Sequence, residues 1–310
     1  MKVFLQSVVK IKMLLMGLVL ALTGAASQAK EVINLAWPWG LGDADSAFTR
    51  TMIEKLNQTQ NQFTFVFDHR PGAGSTVAAN HVLAGPNRIM SASTAFFVRP
   101  NFYPTESHDL SQFRPMITMC GTPMIVVSGK YKSWREMPTD RDVTLSVGGM
   151  GTTGHLVAAA LQSRYPNIRF VLYNGTAQST IDAVAGTIDL HIAFINGVEN
   201  WMDQGKLHGL GVTGPRSARN IPTLASQGFS NVERIVNTHS WLAPKSMPEA
   251  QFQNIKKLAA SMVKNPEIQG VFSNLYCTPS GLADQAANEW FADQVKLWAD
   301  LSKRAQAAAK

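Results

Sequence analysis

Charge and cysteine are both scarce in this chain. Only 16% of its 310 residues are charged, against about 25% in an average soluble protein. There are two cysteines, Cys120 and Cys277. Two are too few for a disulfide-built scaffold or a Cys-based zinc site. After the first thirty residues no apolar run reaches the ~20 that a membrane-spanning helix needs. The G-x-S-x-G and H-E-x-x-H signatures of hydrolases do not occur. The seven histidines, His69, His81, His108, His155, His191, His208 and His239, show no metal-ligand spacing. No metal and no cofactor are therefore expected. A Ser/His/acid triad built from distant loops stays open, because such a triad is defined by geometry rather than order.

Basic residues are in excess. Lys plus Arg number 28 and Asp plus Glu 21, a formal net charge of +7. That balance invites a nucleic-acid or anionic-membrane reading, but the charges are scattered. Three of them, Lys2, Lys10 and Lys12, precede the uncharged run Met13–Leu22, which leads into Ser27-Gln28-Ala29. This is the layout of an export signal. Residues 1–29 are read as a signal peptide cleaved after Ala29, which leaves 7 − 3 = +4 on a mature chain outside the cytoplasm. A nucleic-acid partner is not expected there. An oxidising compartment permits a Cys120–Cys277 bridge. Both cysteines have apolar neighbours, so two buried thiols is the alternative.

Strand and helix patterns alternate along the chain. Val32–Trp37, Phe63–Asp68, Ile89–Ser93, Met124–Val127, Val143–Val147, Phe170–Tyr173 and Leu190–Phe194 read as strands. Ala44–Gln58, Thr76–Leu83 (with Ser75 as its cap), His155–Ser163, Thr180–Ala185, Pro248–Lys264 and Ala283–Arg304 read as helices. In the last, Phe291, Val295, Trp298 and Leu301 form an apolar stripe, and Lys303 and Arg304 fall at its negative end. Such alternation predicts parallel α/β sheets, and the length predicts two lobes. Ligands of open α/β sheets bind at strand carboxyl ends. Three strand-to-helix turns are glycine-rich: Trp37–Ser46, His69–Ser75 and Ser146–His155. The third holds G-x-G-x-x-G at Gly149, Gly151 and Gly154, but the next strand ends in Asn174 where a dinucleotide fold needs an acid.

These turns resemble those of the periplasmic solute-binding proteins of tripartite tricarboxylate transporters, the Bug or TctC-like family. Arg70-Pro71-Gly72-Ala73-Gly74 is similar to the family's N-R-P-G-A-G, and Gly151-Thr152-Thr153-Gly154-His155-Leu156 to its G-T-x-x-H-L. Tyr173-Asn174-Gly175-Thr176 stands where the family has P-Y-K-G-S. Gly186–Asp189, Gly205–Leu207 with Gly211–Thr213, Ile221–Leu224, and Ser240-Trp241 with Ala243-Pro244 follow in the family's order.

The resemblance implies a two-lobed, type II-like periplasmic binding protein, each lobe a mainly parallel sheet flanked by helices, with a Venus-flytrap cleft between. Lobe 1 would be residues 30–122 plus 240–310, and lobe 2 residues 123–239. The implied ligand is a small organic carboxylate, and the implied partners are a large and a small integral-membrane subunit. The protein itself would be a monomer without catalysis. The implied ligand contacts are Trp39, Gly40, Leu41, Gly42 and Asp43 in the first turn, and Ser93 and Thr94 after the third strand. Gly151, Thr152, Thr153, Gly154 and His155, with Tyr173 and Asn196, complete the set. One departure is Asp43, a carboxylate where the family has a glycine. Asp43 either caps the following helix or receives an ammonium or hydroxyl, which would make the ligand zwitterionic or neutral. Trp37 and Trp39 share a face by alternation; both belong to the core, or Trp39 stacks on a planar ligand. An exported enzyme using the same cleft and a sensor feeding a signalling receptor are the rival functions.

Overall fold

The computed structural model describes residues 30–41, 44–173 and 176–308. Residues 1–29, expected to be an export signal, and Gly42, Asp43, Asn174 and Gly175 lie outside the described residues, and so do the two readings of Asp43.

Within them the chain starts as β1 (Glu31–Trp37), α1 (Ala44–Thr59), β2 (Phe63–His69), α2 (Thr76–Leu83), β3 (Arg88–Ala92) and α3 (Thr94–Phe102). The 16-residue strand β4 (Phe113–Ser128) follows. Then come β5 (Val143–Val147), α4 (Thr153–Arg164), β6 (Ile168–Leu172), α5 (Thr176–Val184), β7 (Leu190–Phe194), α6 (Ile195–Asp203) and β8 (His208–Val212). β9 (Val236–Pro244) returns, and α7 (Glu249–Val263), α8 (Pro266–Asn274), β10 (Thr278–Pro279) and α9 (Asp284–Ala308) end the chain.

The strands line up as β2-β1-β3-β9-β4-β7-β5-β6, with β8 and β10 also on β4. β2-β1-β3 and β6-β5-β7 are parallel. Their crossover helices make this possible, since parallel neighbours cannot be joined by a tight turn. Antiparallel β9 and β4 stand between the two groups, so the sheet is mixed. β4 changes partners part-way. Phe113–Pro123 pair with β9, and Met124–Val127 pair with β7.

Several expectations are corrected. The apolar run predicts a strand over Met124–Val127 alone, whereas β4 begins eleven residues earlier, at Phe113, and runs through Pro115, Gly121 and Pro123. Pro115 falls at one of two register shifts, between Pro115 and Ile117 and between Thr118 and Cys120, and Pro123 stands where the strand leaves β9 for β7. Ser75 makes no capping hydrogen bond. Gly72, Ala73, Gly74 and Ser75 all have positive φ (125°, 46°, 54° and 83°), and this left-handed run leaves the buried Ser75 hydroxyl without a partner. α9 runs on to Ala308, so Lys303 and Arg304 are not at its negative end, and Arg304 pairs with Asp300 one turn back at 2.8 Å. The local pattern predicts no element where α3 forms. Its aromatic sequence TAFFVRPNF lacks helical punctuation, and packing of Phe96 and Phe97 overrides that.

One apolar core lies under α1, α7 and α8 against β1 and β2. A second runs from α2 and α3 to α4 and includes Trp298, Leu301 and Ala305 of α9. α9 thus packs on α3, β4 and α4 together. The expected stripe is what does this: Trp298 is fully buried and its indole N–H donates to Gln294 Oε1 at 2.7 Å. A third core lies between β4, β7, β8 and α6. The two cysteines form a disulfide with Cα atoms 5.4 Å apart, which resolves the open alternatives in favour of the bridge. No helix among the described residues is long and apolar enough to cross a membrane.

Candidate functional site

The parallel strands of each group end on turns that lead into helices. Ser93 alone separates β3 from α3, and α6 starts directly after β7. Two sets of contacts place the starts of α3 and α4 beside the crossing strands. Thr94 Oγ1 donates to Val236 O at 3.0 Å and accepts from Thr238 N at 3.1 Å, which fixes the start of α3 on β9. Val236 pairs with Pro123 across the ladder. On the next residue, Met124 N donates to Thr213 Oγ1 at 2.8 Å. A Cβ on Gly154 would lie 3.8 Å from Met124 Cε and 3.6 Å from Ile192 Cγ2. The start of α4 therefore stands just past the rung on which the start of α3 is fixed.

The carbonyls of the first turn are taken up by side chains. Trp37 Nε1 donates to Gly40 O at 2.9 Å, His69 Nε2 lies 2.8 Å from Trp39 O, and Ser46 Oγ donates to Leu41 O at 2.8 Å. The N–H groups of Trp39, Gly40 and Leu41 have no acceptor among the described residues. Trp37 is fully buried while Trp39 is half-buried and Leu41 is 50% exposed. Trp37 and Trp39 thus have different environments, because the strand ends at Trp37.

The third turn is built by its own side chains. Thr152 is the N-cap of α4: its hydroxyl accepts from His155 N at 3.2 Å and donates to Gly149 O at 2.8 Å. Gly151 has φ 75°, and a Cβ there would sit 3.4 Å from Phe102 Cδ2. His155 is buried, and its Nδ1 accepts from Gly151 N at 3.4 Å. Its ring meets Phe102 and Phe170 edge-on. Burial lowers its pKa to about 4, so the ring is neutral. Thr153 is buried and Gly154 half-buried, and as the first residues of the helix their N–H groups have no acceptor among the described residues. Thr152→Ala is expected to cost about 1 kcal/mol through loss of the cap, read as a lower urea midpoint with unchanged slope.

Tyr173 donates to Asp182 Oδ2 at 2.7 Å, and burial together with that carboxylate pushes its pKa up to about 12. Asn196 is half-buried in the first turn of α6. Ser93 is buried at the N-cap of α3 without a capping bond. Neither lysine nor arginine stands among these residues. Among the described residues no group of three or more His, Cys, Asp or Glu could hold a metal ion. Motif reasoning did not single out Thr122, whose buried hydroxyl has no partner, or Asn237 opposite it. Their only signal was their place beside the strand crossings.

One pair has the spacing of a nucleophile and base: Ser146 Oγ lies 2.6 Å from His191 Nδ1. Thr180 gives its proton to Thr176 O, so it accepts from His191 Nε2 at 3.0 Å. The far nitrogen therefore faces a hydroxyl rather than an acid, and Ser146 and His191 are 2% and 1% exposed. This arrangement ties β5, β7 and α5 together.

A family model described as the tripartite tricarboxylate transporter family receptor, TctC, matches residues 48–306. The chain belongs to this receptor family. The receptor is 23% identical over 314 residues to the UPF0065 protein in the tcbD-tcbE intergenic region of Pseudomonas sp. (strain P51), covering 93% of this chain and 92% of that one. Among solved structures it resembles R. palustris Rpa4515 with adipate (TM-score 0.78, 20% identity, 90% of this chain and 98% of that one). BugD, a periplasmic binding protein, gives a TM-score of 0.76 at 22% identity over 89% of this chain and 98% of that one. MatC from Rhodopseudomonas palustris with bound malate gives 0.69 at 15% identity, over 88% and 99%. These likenesses show the receptor's fold.

Proposed function

We propose that this receptor is a periplasmic solute-binding protein that captures a small organic carboxylate and delivers it, unchanged, to the large and small membrane subunits of a tripartite transporter. The observation that carries this reading is two sets of backbone N–H groups without an acceptor among the described residues, Trp39 to Leu41 after β1 and Thr153 with Gly154 at the start of α4, each on a turn at the carboxyl end of a parallel strand. Helix starts and glycine turns of this kind favour an anion. The relatives solved with adipate and malate support the same ligand class. Residues 30–122 with 240–310 act as one lobe and 123–239 as the other, and ligand contacts to both favour the closed state. Trp39, Gly40, Leu41 and Gly42 on one lobe, and Gly151 to Gly154 on the other, contribute mainly backbone donors. Ser93, Tyr173 and Asn196 line the cleft, with Thr94 holding the start of α3 and His155 the turn before α4. Asp43 as a helix cap leaves the site to a carboxylate anion, and Asp43 as an acceptor for an ammonium or hydroxyl gives it to a zwitterionic or neutral ligand. The receptor works as a monomer after loss of its export signal.

Thr153→Pro tests the reading with little structural disturbance. Proline is favoured at the first position of a helix, and the preceding Thr152 is already extended (φ −98°, ψ 164°) as a residue before proline requires. The variant removes one N–H and keeps the helix. A hydrogen bond to a charged group is worth about 1.5–3 kcal/mol, so affinity for a dicarboxylate is expected to fall by roughly 10- to 100-fold. Isothermal titration with malate, adipate, aspartate and a neutral sugar is the measurement. Equal affinity of parent and variant for a bound carboxylate would refute the assignment of this turn. Turnover of the bound compound would favour the exported enzyme.

A further inference from the structure

We propose that Tyr276, anchored by the Cys120–Cys277 disulfide, is a positioning residue that holds α6, and through it Asn196, in place at the candidate site. This rests on the two-lobe reading above, because Tyr276 would belong to one lobe and α6 to the other.

The argument begins with an outlier. Tyr276 has φ 53°, an uncommon conformation for a bulky side chain. Such outliers persist where the surrounding structure over-determines them, and here it does. Tyr276 N donates to Ser273 O at 3.1 Å, and Cys277 N to Phe272 O at 2.8 Å, which ends α8. The next residue, Cys277, is bridged to Cys120 of β4. Thr278 and Pro279 then pair with Gly121 and Cys120 on the same strand. The tyrosine is thus held from both sides at the point where β4 passes from one strand group to the other.

From there its side chain reaches the other group. The ring packs against the core formed by β4, β7, β8 and α6. The hydroxyl donates to Glu199 Oε2 of α6 at 2.7 Å and accepts from Arg219 Nη1 at 3.2 Å. Arg219 Nη1 also donates to Glu199 Oε2 at 3.1 Å, and its other terminal nitrogen pairs with Asp203 at the end of α6. Arg219 is itself left-handed, at φ 52°. Glu199 follows Asn196 by three residues, so the two share a helix face. The disulfide fixes Tyr276, Tyr276 and Arg219 fix Glu199, and α6 carries that constraint to Asn196.

Tyr276→Phe keeps the ring and deletes both hydrogen bonds. Amide hydrogen exchange of α6 in the unliganded protein is expected to quicken at least fivefold, with the thermal midpoint nearly unchanged. Glu199→Gln, which retains an acceptor for the hydroxyl, is expected to stay within twofold of the parent. Replacing both cysteines by serine is expected to quicken the same amides, and adding Tyr276→Phe to that variant to change them little further. Unaltered α6 exchange in Tyr276→Phe overturns the proposal. So does an equal response in Glu199→Gln. If malate or adipate binds the parent, Tyr276→Phe is expected to raise its dissociation rate several-fold with little change in association. If neither binds, the carboxylate reading loses support while the exchange comparison still decides the role of Tyr276.

Discussion

Asp189→Ala is expected to lower the thermal midpoint by roughly 5 °C, read by circular dichroism. Asp189 precedes β7 and its side chain is 3% exposed. Lys130 Nζ donates to it at 2.8 Å, Arg141 at 3.1 and 3.2 Å, Tyr131 Oη at 3.3 Å, and Thr144 through its N–H at 2.9 Å and its hydroxyl at 3.0 Å. Burial pushes the carboxyl upward in pKa, but the hydrogen bonds from Arg141, Lys130 and Thr144 outweigh it and hold the group well below the usual carboxylate range. Removing one member of a buried ionic group costs about 3–5 kcal/mol. The low end applies here, because Lys130 and Arg141 are 36% and 49% exposed and water can take over their charges. For a folded chain of about 275 residues, with an unfolding entropy of about 2.1 cal/mol/K per residue, about 3 kcal/mol corresponds to roughly 5 °C. Asp189→Asn should lose about half as much, since Thr144 keeps an acceptor. A shift under about 2 °C for the alanine variant would show that the group does not act as a fastening between β4, β5 and β7.

Acidification should destabilise the protein in two stages. His108, His155 and His191 are buried, and burial lowers each pKa from 6.5 to about 4. Their nitrogens are also committed. His108 lies with Nε2 2.9 Å from Phe96 O and Nδ1 3.1 Å from the Thr76 hydroxyl, and His191 between Ser146 and Thr180. The unfolded chain takes up a proton on each near pH 6.5, while the folded chain resists until about pH 4. Stability is therefore complete above about pH 6.5 and declines as pH falls towards 4. One pKa unit corresponds to about 1.4 kcal/mol, so each histidine contributes at most ~3 kcal/mol over that window. Against a usual total of ~5–15 kcal/mol, three of them are enough to bring the acid midpoint into the range of about pH 4–5. Asp189 has a lowered pKa, so its contribution is present above about pH 4 and is lost only below that. His191→Gln should flatten the dependence of the thermal midpoint on pH between 6.5 and 4. A slope equal to that of the parent would exclude His191 as a contributor.

The strands with the clearest apolar runs were legible in the sequence. Val143–Val147 and Leu190–Phe194 form with the expected ends, as does the helix Thr76–Leu83. Alternation of such segments is a local property and needs no tertiary contact to be seen. The fold class and the family were legible for the same reason, since turn motifs are short and contiguous. α3 and the first half of β4 were not. Their identity depends on Phe96 and Phe97 finding a core and on β9 arriving from more than a hundred residues away. The turn residues of the candidate site were visible as residue types, but their side-chain partners were not. Thr152 is occupied as a cap, Tyr173 by Asp182, and His155 by Gly151 and two aromatic edges.

The sequence by itself determined an α/β chain with glycine turns at strand ends, a sparse charge and the family, because each of these is written in neighbouring residues. Only the tertiary structure decided that Cys120 and Cys277 are joined, that β4 serves both strand groups, and that Tyr276 reaches Glu199 and Arg219. Those depend on groups from 57 to 157 residues apart arriving at one place. No local pattern encodes that arrival; the chain's burial of apolar surface and pairing of backbone groups bring it about.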